Sequence, residues 1–172
     1  MLQTCHSLDP NKLKLPKQLG LREISKDDQP FLDALFLSAR PHLQLINLPE
    51  PLLTALISQQ CMLQQNHYQS EWPNAEKRII TQARTDIGKI FVAANNTSLH
   101  IIDLILLSAY RNKGIGRSLL NSLQQVAKQE NLSLKLSVDK QNGLAKKLYL
   151  SMGFQVTSQT ETHDSMIWVS RH

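Results

Sequence analysis

Apolar residues recur at helical spacing through the first part of the chain. Beyond Trp72-Pro73 the period shortens to two or gives way to continuous apolar runs. Alternation at Leu19 and Leu21 predicts a short strand over residues 19–24, and the polar stretch 25–28 supplies an N-cap and acids suited to a helix start. That helix carries Phe31, Leu32, Leu35 and Phe36 on one face and should stop near Arg40-Pro41. A second helix is expected after Pro49, through Leu52, Leu53, Leu56, Ile57, Gln60 and Leu63. Residues 78–83, 89–94 and 99–107 then read as strands, with turn signals at Thr85-Asp86 plus Gly88 and at Asn95-Asn96. Residues 114–129 form an amphipathic helix with Ile115, Leu119, Leu120, Leu123 and Val126 on one face. A strand over 132–138, a helix over 143–152 and two strands over 154–157 and 165–169 complete the chain.

The order β-α-α-β-β-β-α-β-α-β-β predicts an α/β (α+β) fold, a mixed, mostly antiparallel sheet flanked by helices. The strand at 99–107, the helix after it and the strand at 132–138 form one right-handed parallel β-α-β crossover. Residues 1–18, polar and broken by Pro10 and Pro16, read as a poorly ordered N-terminal extension or edge segment without chemistry, ahead of a domain spanning 19–172.

A length of 172 residues suits one domain, and 41% apolar with 19% charged residues is enough to bury a core. The longest apolar run, residues 101–107, is interrupted by Asp103 and far too short to span a bilayer. Residues 1–11 lack the pattern of a secretory signal. Cys5 and Cys61 are far apart with no CxxC, so neither a disulfide scaffold nor a zinc site is indicated. No His, Cys or acidic cluster has metal-ligand spacing, and a reducing cytoplasm is the expected setting.

Charge changes the picture once it is located. The net charge is +5, but residues 108–147 hold eight basic residues against two acidic ones, which leaves the remainder of the chain at −1. A segment of this kind implies an anionic partner. Its centre is Arg111-Asn112-Lys113-Gly114-Ile115-Gly116-Arg117-Ser118, where a buried strand ends and a helix begins. Unpartnered N–H groups at a helix N-terminus donate to an anion, glycine lets a phosphate approach the backbone, and Arg111, Lys113 and Arg117 attract it. A dinucleotide fingerprint would need a small residue where Leu119 stands, and a P-loop would need Gly-Lys-Ser/Thr.

Arg111, Gly114 and Gly116 match Arg/Gln-x-x-Gly-x-Gly/Ala, and the stretch resembles the pyrophosphate loop of the GNAT superfamily of acyl-CoA-dependent N-acyltransferases. Downstream, Asn142, Ala145, Leu148 and Tyr149, followed by Gly153-Phe154, are similar to that family's Asn-x-x-Ala-x-x-Leu-Tyr and Gly-Phe pair. The resemblance covers residues 19–169 and is strongest over 99–154. It implies a GNAT-like sheet and acetyl-CoA as cosubstrate. It also implies that the loop from Arg111 to Ser118 holds the pyrophosphate, that Asn142 contacts the pantetheine arm, and that backbone N–H groups near Leu106 and Leu107 polarise the thioester carbonyl where the parallel strands splay. Asn142 is equally placed to cap the helix that follows it.

Acyl transfer to an amine needs a neutral nitrogen, a polarised carbonyl and a proton for the departing thiolate. By resemblance Tyr149 is the general acid, although Ala145, Leu148, Tyr149 and Met152 share one helical face and a core role is the alternative. Two titratable residues on the central strand, His100 and Asp103, are candidate bases. Being three apart, they point to opposite faces of a regular strand. Asp103, alone among aliphatic neighbours, ranks first; pairing with a neighbouring Arg, capping a backbone group, or ordered water as the base are the alternatives. Tyr68, Glu71 and Trp72 offer either a surface for a protonated amine or an aromatic anchor with a solvated acid.

These residues imply an N-acetyltransferase acting on a small-molecule or peptide amine by direct attack in a ternary complex. The alternative is a non-catalytic CoA-binding module of the same fold. With 5% aromatic residues and no base-reading motif, nucleic acid is not the expected partner, nor is a membrane. If the resemblance extends to assembly, it implies a homodimer.

Overall fold

A computed structural model describes residues 8–170. The first seven residues, including Cys5, lie outside it. The chain folds as β1 (Leu19–Glu23), α1 (Gln29–Ser38), α2 (Glu50–Glu71), β2 (Glu76–Gln82), β3 (Thr85–Ala94), β4 (Ser98–Leu106), α3 (Ile115–Gln129), β5 (Ser133–Asp139), α4 (Gly143–Ser151), β6 (Gln155–Gln159) and β7 (His163–Trp168). The strands form one sheet in the order β1-β2-β3-β4-β5-β7-β6. Every neighbouring pair is antiparallel except β4 and β5, which are joined by α3 as the crossover. Among the described residues no helix is long and apolar enough to cross a membrane.

Each face of the sheet buries its own core. On one face, Leu119, Leu120, Leu123 and Val126 of α3 pack against Ile90, Val92, Leu99, Ile101, Leu134 and Leu136. The spacing of those α3 residues is the helical period that the sequence displays. Leu8, 5% exposed, is buried on this face, and Leu13 and Leu15 pack against the same core. The segment ahead of β1 therefore contributes apolar side chains to the fold, which corrects the expectation of a poorly ordered extension for residues 8–18. Lys12 is also ion-paired with Glu130 beyond the end of α3. On the other face, Leu32, Leu35 and Phe36 of α1 meet Ile57 and Cys61 of α2, with Ile105 and Leu107 at the margin.

The turn between β2 and β3 differs from expectation. It lies at Ala83 and Arg84, both in the left-handed region at φ 48° and 70°, while Thr85 and Asp86 already belong to β3. Gly88 serves another purpose there. A Cβ on it would come 2.3 Å from the Ile105 carbonyl oxygen, so glycine permits the close approach of β3 to β4.

A second difference bears directly on the candidate site. The pairing of β3 with β4 slips between Phe91 and Val92: Val92 faces Ile101, but Phe91 faces Asp103, which leaves Ile102 as the extra residue of a bulge. One inserted residue flips the alternation. His100 and Asp103 therefore project to the same face, toward α2, and the expectation that they point to opposite faces is corrected.

Candidate active site

Parallel pairing between β4 and β5 runs from Ser98–Ser133 to Ile101–Leu136 and stops there, although the strands continue to Leu106 and Asp139. The bulge at Ile102 marks the point where they part. Past it lies a wedge between two strands with unpaired edges, the splay expected near Leu106 and Leu107.

Backbone geometry assigns the polar groups of that wedge. The N–H of Leu107 bonds to the Ile87 carbonyl at 2.8 Å, on the β3 side, so this group is committed and is not available to a ligand. A strand residue presents its N–H and C=O on one edge, and successive residues alternate. Leu106 accordingly faces the wedge, where its carbonyl accepts Arg111 Nε at 2.8 Å and its N–H points into the opening.

At the end of the wedge the chain turns through a short 3-10 turn, Ser108–Tyr110, into the glycine loop. Asn112 at φ 58° and Gly114 at φ 80° are both left-handed, and Gly114 is the N-cap of α3. Here glycine is required by the backbone, since L side chains are disfavoured at such angles. No side chain caps the helix. The Ser118 N–H makes the bond back to Gly114 O, which leaves the N–H groups of Ile115, Gly116 and Arg117 ahead of the first helical bond. Ile115 is anchored in the core, 5% exposed, so the helix end is held rigidly. A Cβ at Gly116 would meet only Leu148 Cδ2 at 3.8 Å, so nothing in the protein demands glycine there.

The basic side chains divide into two groups. Lys113 is exposed, its ammonium 5.8 Å from the Tyr110 ring, and Arg117 reaches Ser151 Oγ of α4 at 2.9 Å. Arg111, expected to attract phosphate with its guanidinium, is instead spent on the fold. Besides Leu106 O, it bonds through Nη2 to Ser38 O at 3.1 Å and Ser38 Oγ at 3.0 Å, tying the end of α1 to the end of β4. Asn142 caps α4, its Oδ1 accepting the Ala145 N–H at 3.2 Å, and remains exposed.

Titratable groups approach the wedge from both sides. Tyr149 on α4 packs against the α3-side core and lies 5.7 Å from the Phe154 ring. Burial and the Asp103 carboxylate push its hydroxyl up to about 12. Tyr68 on α2 is raised for the same two causes, burial first, and stands edge-on to Phe91 at 6.3 Å. Both phenols thus sense Asp103, one from each face of the sheet. His100 is covered by Trp72, ring centres 4.6 Å apart, and burial followed by Lys135 holds it below the usual histidine range. Trp72 and Tyr68 are therefore aromatic anchors against the sheet.

Asp103 is not alone among aliphatic residues. Its Oδ2 lies 2.9 Å from Nζ of Lys89, a side chain with no exposed surface. In the sequence Lys89 reads as the polar start of an apolar strand, and only the register shows it facing Asp103.

The family model described as the acetyltransferase (GNAT) domain matches residues 52–170. Among solved structures, the chain resembles the PaiA N-acetyltransferase of Thermoplasma acidophilum in complex with coenzyme A, with a TM-score of 0.64 and 19% identity over 88% of this chain and 99% of that one. It also resembles Arabidopsis thaliana Naa50 in complex with the bisubstrate analogue CoA-Ac-MVNAL, at 0.61 and 16% over 89% and 99%. The ribosomal L7/L12 alpha-N-protein acetyltransferase RimL gives 0.66 and 14% over 92% and 93%. No curated protein matches. GNAT acetyltransferases use acetyl-CoA, and the residues here fit it: an uncapped helix N-terminus beside Lys113 suits the diphosphate, and a wedge between unpaired strand edges suits an extended polar arm. With a matching family model over most of its length and this fold, the chain belongs to the GNAT acetyltransferase family.

Proposed function

We propose that the protein is an N-acetyltransferase that passes an acetyl group to a primary amine by direct attack in a ternary complex. The observation that carries this reading is the β4–β5 wedge, closed at one end by the bulge and at the other by the uncapped N-terminus of α3.

Acetyl-CoA supplies an activated acetyl thioester. The N–H groups of Ile115, Gly116 and Arg117, with Lys113, bind its diphosphate, and Asn142 contacts the pantetheine arm. Asn112 and Ser118 shape the loop as its left-handed turn and its first helical donor. Arg111 and Leu107 serve through the backbone they brace. The Leu106 N–H, aimed into the wedge, donates to the oxygen on which charge develops. Asp103 accepts a proton from the acceptor's ammonium and leaves a neutral nitrogen, while His100 lines the same face. Tyr149 keeps its proton throughout the neutral range and gives it to the departing sulfur.

The acceptor is a small-molecule or peptide amine. A peptide is supported by the neighbours, since Naa50 takes CoA-Ac-MVNAL and RimL is an alpha-N-protein acetyltransferase. The test is thiol release from acetyl-CoA across a panel of aliphatic amines, amino acids and peptides with free N-termini. Amine-dependent release with intersecting initial-velocity lines is expected. Binding of acetyl-CoA with no release by any amine would overturn catalysis in favour of a binding module.

A further inference from the structure

Lys89 is a charge the reaction does not touch, yet it lies where an aliphatic side chain would be ordinary. Its neighbours along β3 are Ile87, Ile90 and Phe91, and its partners across the sheet are Ile79 and Ile105. Burying an ammonium is costly without a counter-ion, and pairs of this kind are often no more stable than apolar residues of similar size. Packing alone therefore gives no reason for a lysine. Its counter-ion is Asp103 at 2.9 Å. The contact is not aligned as a hydrogen bond, and Lys89 Nζ has no hydrogen-bond partner among the described residues. The Phe91 ring, 5.0 Å away, adds a weak attraction and no acceptor.

The bulge at Ile102 makes the pair possible. Without the extra residue, Asp103 would face α3 while Lys89 faced α2. The other titratable groups round Asp103 are Tyr68 from α2, Tyr149 from α4 and His100 on β4 itself. The two phenols are raised and the imidazole lowered, so all three are uncharged near neutrality. Arg40, after α1, draws the Tyr68 hydroxyl down, and the Cys61 thiol on α2, raised by burial, is drawn down by the Lys89 charge. Lys89 is thus the cation in contact with Asp103 among the described residues.

We infer that Lys89 is a positioning residue for proton acceptance, fixing the Asp103 carboxylate beside the β4–β5 wedge. The inference rests on the reading of Asp103 as the base. Lys89 touches no reacting atom; it acts through the carboxylate that its ammonium contacts at 2.9 Å.

The experiment is the pH profile of kcat/KM for the amine in wild type, Lys89→Met, Lys89→Arg, Asp103→Asn and the double variant Lys89→Met/Asp103→Asn. Removing the cation should move the acidic limb of Lys89→Met up by about one pH unit or more, roughly a tenfold loss at the foot of the limb. Lys89→Arg should keep the wild-type limb. Asp103→Asn should lower kcat about 100-fold, with Lys89→Met adding nothing in that background. If Lys89→Met does not fold, Lys89→Gln reads the same shift with a polar side chain. A full-rate Asp103→Asn overturns the base; a slow Asp103→Asn with an unmoved limb in the folded Lys89 variant overturns the role of Lys89 alone.

Discussion

Arg111 Nε donates to the carbonyl of Leu106 at 2.8 Å, so the first residue of the glycine loop is latched to the last residue of β4. Its Nη2 holds Ser38 at the end of α1 at the same time. One planar fork thereby fixes the wedge edge, the loop and a helix end together.

Arg111→Ala should therefore raise KM for acetyl-CoA several-fold by loosening the loop. Its dependence on salt should stay as steep as that of wild type, because this guanidinium is not the charge facing phosphate. Lys113→Ala should instead flatten the salt dependence. Initial rates across a series of ionic strengths decide between a latch and a phosphate ligand. A flattened response in Arg111→Ala would contradict the latch.

Tyr149→Phe keeps the ring against Phe154 and removes only the hydroxyl. We expect kcat to fall about 100-fold with KM for acetyl-CoA little changed, the signature of a lost proton donor. Since the hydroxyl is held up to about 12, it stays protonated as pH rises through neutrality, and no alkaline loss of kcat from this group should appear below about pH 11. An unchanged kcat in the variant would return Tyr149 to the core.

Arg22 clamps two carboxylates: Nη1 and Nη2 bond to Asp28 at 2.9 and 2.7 Å, and Nε and Nη2 to Asp86 at 2.9 and 2.7 Å. The clamp, together with the Ser25 N–H, holds the Asp28 carboxyl well below the usual range. A depressed carboxyl contributes stability that is complete above the ordinary aspartate value and is lost as pH falls below it. Thermal midpoints of wild type should drop below about pH 4, and Arg22→Met should be less stable at neutral pH with a shallower acid decline. Parallel curves for the two proteins would show that the clamp contributes nothing.

Much of the fold was legible because apolar period and turn residues track the strands and helices of a two-sided sheet. The glycine loop was legible as well, since Gly114 must adopt a left-handed angle and the basic residues cluster round it. Other features left no mark. The bulge at Ile102 lies inside an unbroken aliphatic run, where an extra isoleucine looks like any other, and that one residue decides which face His100 and Asp103 share. The turn at Ala83-Arg84 uses neither glycine nor asparagine, so the sequence pointed to Asp86 and Gly88 instead. Lys89 and Asp103 are fourteen positions apart and meet only across a register that local pattern cannot supply.

The most direct test of the central claim is calorimetric titration of acetyl-CoA into wild type and Gly116→Asp. The added Cβ meets only Leu148 Cδ2 at 3.8 Å, and an acid in the first turn of α3 favours the helix, so the variant should fold at least as stably as wild type. Its carboxylate would occupy the free N–H groups and repel phosphate. Saturable binding to wild type and at least tenfold weaker binding to Gly116→Asp is the predicted result. Equal affinity in the two proteins, or no binding to wild type, would contradict the α3 N-terminus as the seat of the cosubstrate.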